Sequence, residues 1–70
     1  MKYSYAMVIH PTTETIYAGF RDVNTEKLVS FYRYFIKNGV HDISEFAIVI
    51  CDAGHVKQES FTAWYQKATA

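Results

Sequence analysis

Residues 24 to 39, NTEKLVSFYRYFIKNG, carry one amphipathic helix with both ends marked, and that helix sets what the rest of the chain must do. Asn24 is a good N-cap, with Val23 and Leu28 spaced to pack together across the helix start. Gly39 stands where a left-handed residue closes a helix, with Val40 placed to touch Phe35, and Lys37 in the last turn suits the dipole. These signals predict a helix over 25–38. At about 100° per residue, Leu28, Phe31, Tyr32, Phe35 and Ile36 form one apolar stripe with Val29 at its margin. Tyr34 falls on the other side with Lys27, Ser30, Arg33 and Lys37. Three of the four rings in FYRYF therefore belong to a core, and Tyr34 does not.

A single helix can cover one layer only, so the remaining residues must supply the second. Residues 3–10, YSYAMVIH, read as a strand, and Pro11-Thr12-Thr13 as the turn that ends it. Residues 14–21 alternate, with Ile16, Ala18 and Phe20 on one face and Thr15, Tyr17, Gly19 and Arg21 on the other. Gly19 inside a strand suggests a bulge or a close backbone approach. Residues 46–51, FAIVIC, form a continuous apolar run suited to a central strand. Asp52-Ala53-Gly54-His55 reads as a tight turn. The segment after it has two readings. A strand over 56–65 is preferred, because Phe61, Thr62, Trp64 and Tyr65 favour sheets. The alternative is a helix capped by Ser60 that aligns Phe61, Trp64, Tyr65 and Ala68.

The order ββαββ with a right-handed crossover gives a four-stranded antiparallel sheet, order 2-1-3-4, with one helix on one face. This is an α+β two-layer sandwich, one domain over 1–70. The helix leaves the second sheet face without a layer. Both parities of the first and third strands are apolar, whereas a water-facing strand normally alternates. Unless the C-terminal segment folds over it, an apolar, tyrosine-bearing surface is expected to remain, and such surfaces mark interaction sites.

A chain of 70 residues buries only about 60% of its unfolded surface. Half of the residues are hydrophobic, and six Tyr, five Phe and one Trp enlarge its thin core. Seven basic residues balance seven acidic ones, so the basic stripe of a nucleic-acid binder is missing. Tyr3, Tyr5 and Tyr17 could stack bases on a sheet, but the charge argues against it. The single Cys51 forms no internal disulfide, and MKYSYAMVIHP lacks a signal-peptide core. Nothing approaches a membrane span. A cytoplasmic protein is the expectation.

Catalytic and metal chemistry find little support. His10 and His41 are expected at one end of the sheet, with Asp42 and Glu45 near, and could hold a divalent ion only if loop residues converge. Cys51, Asp52 and His55 at the other end could pair a thiol with a base, yet Cys51 closes a buried run and the others are turn residues. No phosphate loop is present. No catalytic residue, metal or cofactor is expected.

The leading reading is a non-enzymatic protein-binding module, a stoichiometric inhibitor or adaptor. Its expected contacts are Tyr5, Met7 and Tyr17 on the sheet face, Arg33, Tyr34 and Lys37 on the outer helix face, or an edge strand. A homodimer is a further outcome of the same surfaces. In size and lack of motifs the chain is similar to small phage and mobile-element proteins that block host or defence enzymes, anti-CRISPR proteins among them. The alternatives are a small metal- or thiol-dependent enzyme using a histidine end, and a single-stranded nucleic-acid binder.

Overall fold

The computed structural model describes residues 2–39 and 42–70. Four strands, β1 (Lys2–His10), β2 (Thr15–Asn24), β3 (Ala47–Asp52) and β4 (His55–Ser60), form one antiparallel sheet in the order β2-β1-β3-β4. Helix α1 (Thr25–Lys37) connects the two hairpins, and a second helix, α2 (Phe61–Ala68), ends the chain. The expected sheet order and class are those observed. The second helix is a correction to the one-helix sandwich.

The caps explain where α1 sits. Asn24 Oδ1 accepts from the Lys27 backbone N–H at 2.8 Å, and Val23 and Leu28 on either side of it are both buried. At the other end Gly39 has φ +68 and its N–H donates to the Ile36 carbonyl at 3.2 Å, half of the closure that a left-handed glycine makes. The expected contact of Val40 with Phe35 lies outside the described residues.

The C-terminal segment divides at Ser60. His55–Ser60 is a strand, although the sheet-favouring residues on which the expected strand rested all lie beyond it, and it is joined to β3 by a two-residue turn in which Ala53 and Gly54 both have positive φ. The strand expected through residue 65 stops there, because the Ser60 hydroxyl accepts from the Ala63 N–H and the Phe61 N–H donates to the Phe46 carbonyl. The chain then turns into α2 despite its sheet-favouring rings. The burial of Phe61 and Trp64 outweighs the intrinsic preference.

Both helices lie on the same face of the sheet. Leu28, Tyr32 and Phe35 of α1, Phe61 and Trp64 of α2, and Ala6, Val8 and Ile48 of the sheet form one buried cluster. Tyr32 joins the helices, its ring stacked on Tyr65 and edge-on to Phe61 at 5.0 Å. Lys67 at the end of α2 donates to Glu59 of β4, which ties the helix to the edge of the sheet. The apolar stripe of α1 is narrower than its spacing implied. Phe31 is half-buried, and Ile36 is exposed, since α2 engages α1 at Tyr32 and Arg33, a turn before it.

Candidate binding surface

The register defines the other face of the sheet. On the helix side lie Ala6 and Val8, opposite Ile50 and Ile48. Their neighbours Tyr5, Met7 and Ile9 therefore point away from both helices, opposite Cys51, Val49 and Ala47 of β3. The outer strands add Gly19 and Arg21 from β2 and Val56 and Gln58 from β4. The centre of this face is thus a block of apolar side chains, in which Tyr5, Met7, Ile9 and Cys51 are half-buried and Ala47 and Val49 are buried among their neighbours. Val56 at one margin is 61% exposed and Ile16 at the other 63%, so the apolar surface extends to both edges. The helix that might have folded over this face packs beside α1 instead.

A groove of about 390 Å³ lies on this face between β1 and β2, bounded by Tyr5, Met7 and Arg21, with the Gly19–Phe20 segment of β2 at its base. A Cβ at Gly19 would meet nothing within 4 Å. The glycine therefore opens space on the surface; of the two expectations for it, the close approach of another backbone is not met, while a bulge does occur two residues before it, at Tyr17. Arg21 is exposed and has no ion-pair partner among the described residues. Its guanidinium is the charge at the rim of an otherwise apolar groove.

Tyr17 is not on this face, contrary to expectation. The ladder shifts register between Val8 and Ile9, so that Val8 faces Ala18 while Ile9 faces Ile16. Tyr17 is the extra residue, and a bulge of this kind re-aims a side chain. Its ring packs edge-on to Phe35 at 4.7 Å and to Phe46 at 5.6 Å, on the helix side. Ile16 takes the open-face position in its place. A second irregularity occurs at Asp22, with φ 49, where Phe20 and Val23 both turn to the core. Opposite it, Tyr3 is buried although Tyr5, at the same parity, is on the open face.

Tyr17 and Tyr34, expected on separate surfaces, instead share the seam between β2 and α1. Tyr34 stacks on Phe31 at 6.3 Å, and Phe31 touches both Phe20 and Phe35. Arg33 is elsewhere, its Nε donating to the Tyr65 hydroxyl at 3.1 Å. It fixes α2 to α1. Lys37 is exposed in the last turn of α1. The six expected contact residues therefore do not form one site. Tyr5 and Met7 share the open face, Tyr17 and Tyr34 the seam, and Arg33 the helix interface.

The other candidate constellations are separated or incomplete. Tyr3, Tyr5 and Tyr17 lie in a core, on the open face and in the seam, so they make no common stacking platform. Cys51 pairs with Val56 on the open face, while Asp52 and His55 pair on the helix face. His10 does meet Glu45, Nε2 to Oε2 at 3.0 Å, and its ring is edge-on to Phe46 at 5.2 Å. His41 lies outside the described residues. Among the described residues no three His, Cys, Asp or Glu side chains gather as ion ligands, and no helix is long and apolar enough to cross a membrane.

The alternation of residues 14–21 places Gly19 and Arg21 together on one strand face but gives neither a part in binding. The missing signal was a pair of facts taken together: a side-chain-free position beside large neighbours, and an arginine two residues on. Val56 and Ile16 gave no signal of their own. No family model, curated protein or solved structure matches this chain.

Proposed function

We propose that the protein is a non-enzymatic protein-binding module, an inhibitor or adaptor acting by occupancy, and that its working surface is the open sheet face. The observation that carries this reading is the apolar group of half-buried Tyr5, Met7 and Ile9, packed around the buried Val49 and left without a covering layer by two helices that pack on the opposite face. A water-facing antiparallel strand normally alternates apolar with polar residues, and the central strands here do not. Apolar surface of this kind is where a partner gains most from burial.

The partner chemistry follows from the groove. An apolar side chain fits the space above Gly19 between Tyr5 and Met7, and a carboxylate beside it meets the guanidinium of Arg21, which has no ion-pair partner among the described residues. The partner is a protein surface presenting an apolar anchor flanked by an acidic residue. Host or defence enzymes, suggested by the likeness to small phage-encoded inhibitors, are one group in which to look for it.

The test uses the immobilised protein to capture partners from the source cell's lysate, with Gly19→Val, Arg21→Glu and Tyr34→Ala run beside the wild type. Gly19→Val fills the groove, and neither sterics nor strand preference opposes it. One dominant acidic protein, held by wild type and Tyr34→Ala but lost with Gly19→Val and Arg21→Glu, is the expected result. Capture lost only with Tyr34→Ala would move the site to the seam. A wild type that captures nothing and instead dimerises through this face would replace the partner with a second copy.

A further inference from the structure

On the helix face, away from the surface just described, a cavity of about 400 Å³ lies between α2 and the β3–β4 hairpin. Its floor is formed by Tyr3, Ile50 and Trp64, of which Tyr3 and Trp64 are nearly inaccessible. At one end two ammonium groups converge on one carboxylate: Lys57 donates to Glu59 Oε2 at 3.3 Å and Lys67 to Glu59 Oε1. Glu59 is 14% exposed, whereas the two lysines are 62% and 61% exposed, so the acid is beneath and the bases are above. Each ammonium has three N–H donors and gives one to Glu59, which leaves donors facing the cavity mouth. The cluster carries one positive charge more than Glu59 neutralises. At the far end of the cavity Asp52 has no ion-pair partner among the described residues and repels a second anionic group.

We propose that this cavity binds a carboxylate attached to a flat apolar body, with the carboxylate held by Lys57 and Lys67 and the body lying on Tyr3, Ile50 and Trp64. Pinning α2 to β4 takes one lysine. The second lysine, the apolar floor and the space between them are what a ligand site adds. A planar apolar body gains by covering half-buried Ile50 and the small part of Tyr3 and Trp64 that remains accessible, and a carboxylate accepts from two ammonium groups better than from one. The same chemistry is presented by a free aromatic acid and by the free C-terminus of a peptide ending in an aromatic residue.

Trp64 is the chain's single tryptophan, so its indole N–H resonance reports on the cavity without ambiguity. The probes are phenylacetate, its uncharged isostere phenylacetamide, and a short peptide ending in Phe with either a free or an amidated C-terminus. Phenylacetate is expected to shift the Trp64 signal saturably and phenylacetamide to leave it in place. Lys67→Gln and Lys57→Gln should each weaken phenylacetate about tenfold, the loss of one charge-assisted hydrogen bond. Glu59→Gln should tighten it, because the competing carboxylate is gone. If the free-acid peptide binds more tightly than phenylacetate and the amidated one does not bind, the ligand is a peptide C-terminus; the reverse order identifies a small acid. Equal shifts from phenylacetate and phenylacetamide, unchanged affinity in both lysine variants, or no saturable shift from any probe would overturn the proposal.

Discussion

The rings of Tyr32 and Tyr65 stack with centroids 3.9 Å apart and planes inclined by 13°, and this contact seats the C-terminal helix beside α1 on one face of the sheet. Had α2 crossed to the other face, it would have covered Tyr5 and Met7, which are only half-buried. Its position is what leaves an apolar sheet surface open. The Tyr32 hydroxyl lies 3.2 Å from Thr62 Oγ1, and Arg33 Nε donates to the Tyr65 hydroxyl, so polar contacts on both sides hold the stacked pair.

Trp64→Ala removes a nearly inaccessible ring that packs beside Phe61 and should cost roughly 3–5 kcal/mol, as large aromatic truncations in cores do. Urea denaturation measures this. A loss within about 0.5 kcal/mol, the range of an ordinary surface site, would mean that α2 is not docked as described.

On α1, neighbouring rings should behave in opposite ways. Phe35→Ala takes away a fully buried side chain and should cost roughly 3–5 kcal/mol. Tyr34, 59% exposed, should be replaceable by Ala within about 0.5 kcal/mol. Equal losses for the two would place the helix in a different rotation.

The bulge at Tyr17 makes its own prediction. Although 53% exposed, the ring makes two edge-on contacts with Phe35 and Phe46, each of the kind worth about 0.5–1.5 kcal/mol. Tyr17→Ala should therefore lower stability by about 1 kcal/mol or more while leaving capture of a partner by the open face unchanged. Lost capture at unchanged stability would return Tyr17 to the binding surface.

Glu59 gives stability an acid limb. Burial pushes its carboxyl up, but hydrogen bonds from Lys67 and Lys57 and their charges outweigh that push and hold it below its usual 4.5. A folded value below the unfolded one means that the contribution is fully present above 4.5 and is lost as pH falls through the lower folded value. The difference in urea midpoint between wild type and Glu59→Gln should be constant from about pH 7 to the ordinary carboxyl value and shrink below it. A difference that does not vary with pH would show that the three side chains are not coupled.

Much of this arrangement was legible in the chain, and the parts that were not share a cause. Asn24, Gly39 and the FAIVIC run have local meaning, so the helix bounds and the central strand follow from residue type. The sheet order then follows from connection rules. Tyr17 was misplaced because Gly19 hints at a bulge without fixing its position, and a one-residue bulge reverses every side chain on one side of it. Phe61, Thr62, Trp64 and Tyr65 were read as strand because each favours a sheet singly. Their helical spacing and the Ser60 cap formed the competing pattern, and the choice between the two was made by long-range packing on Tyr32 and Phe46. The open face was foreseen from the double apolar parity of two strands. Its groove was not, since that depends on which residues flank Gly19 across the sheet.

The most direct measurement of the open-face reading is a chemical-shift map of the labelled protein on addition of the captured partner. The predicted result is a set of perturbed signals from Tyr5, Met7, Gly19 and Arg21, with Tyr34, Ile36 and Trp64 unmoved. Perturbations concentrated on Tyr34 and Ile36, with the open face silent, would contradict it.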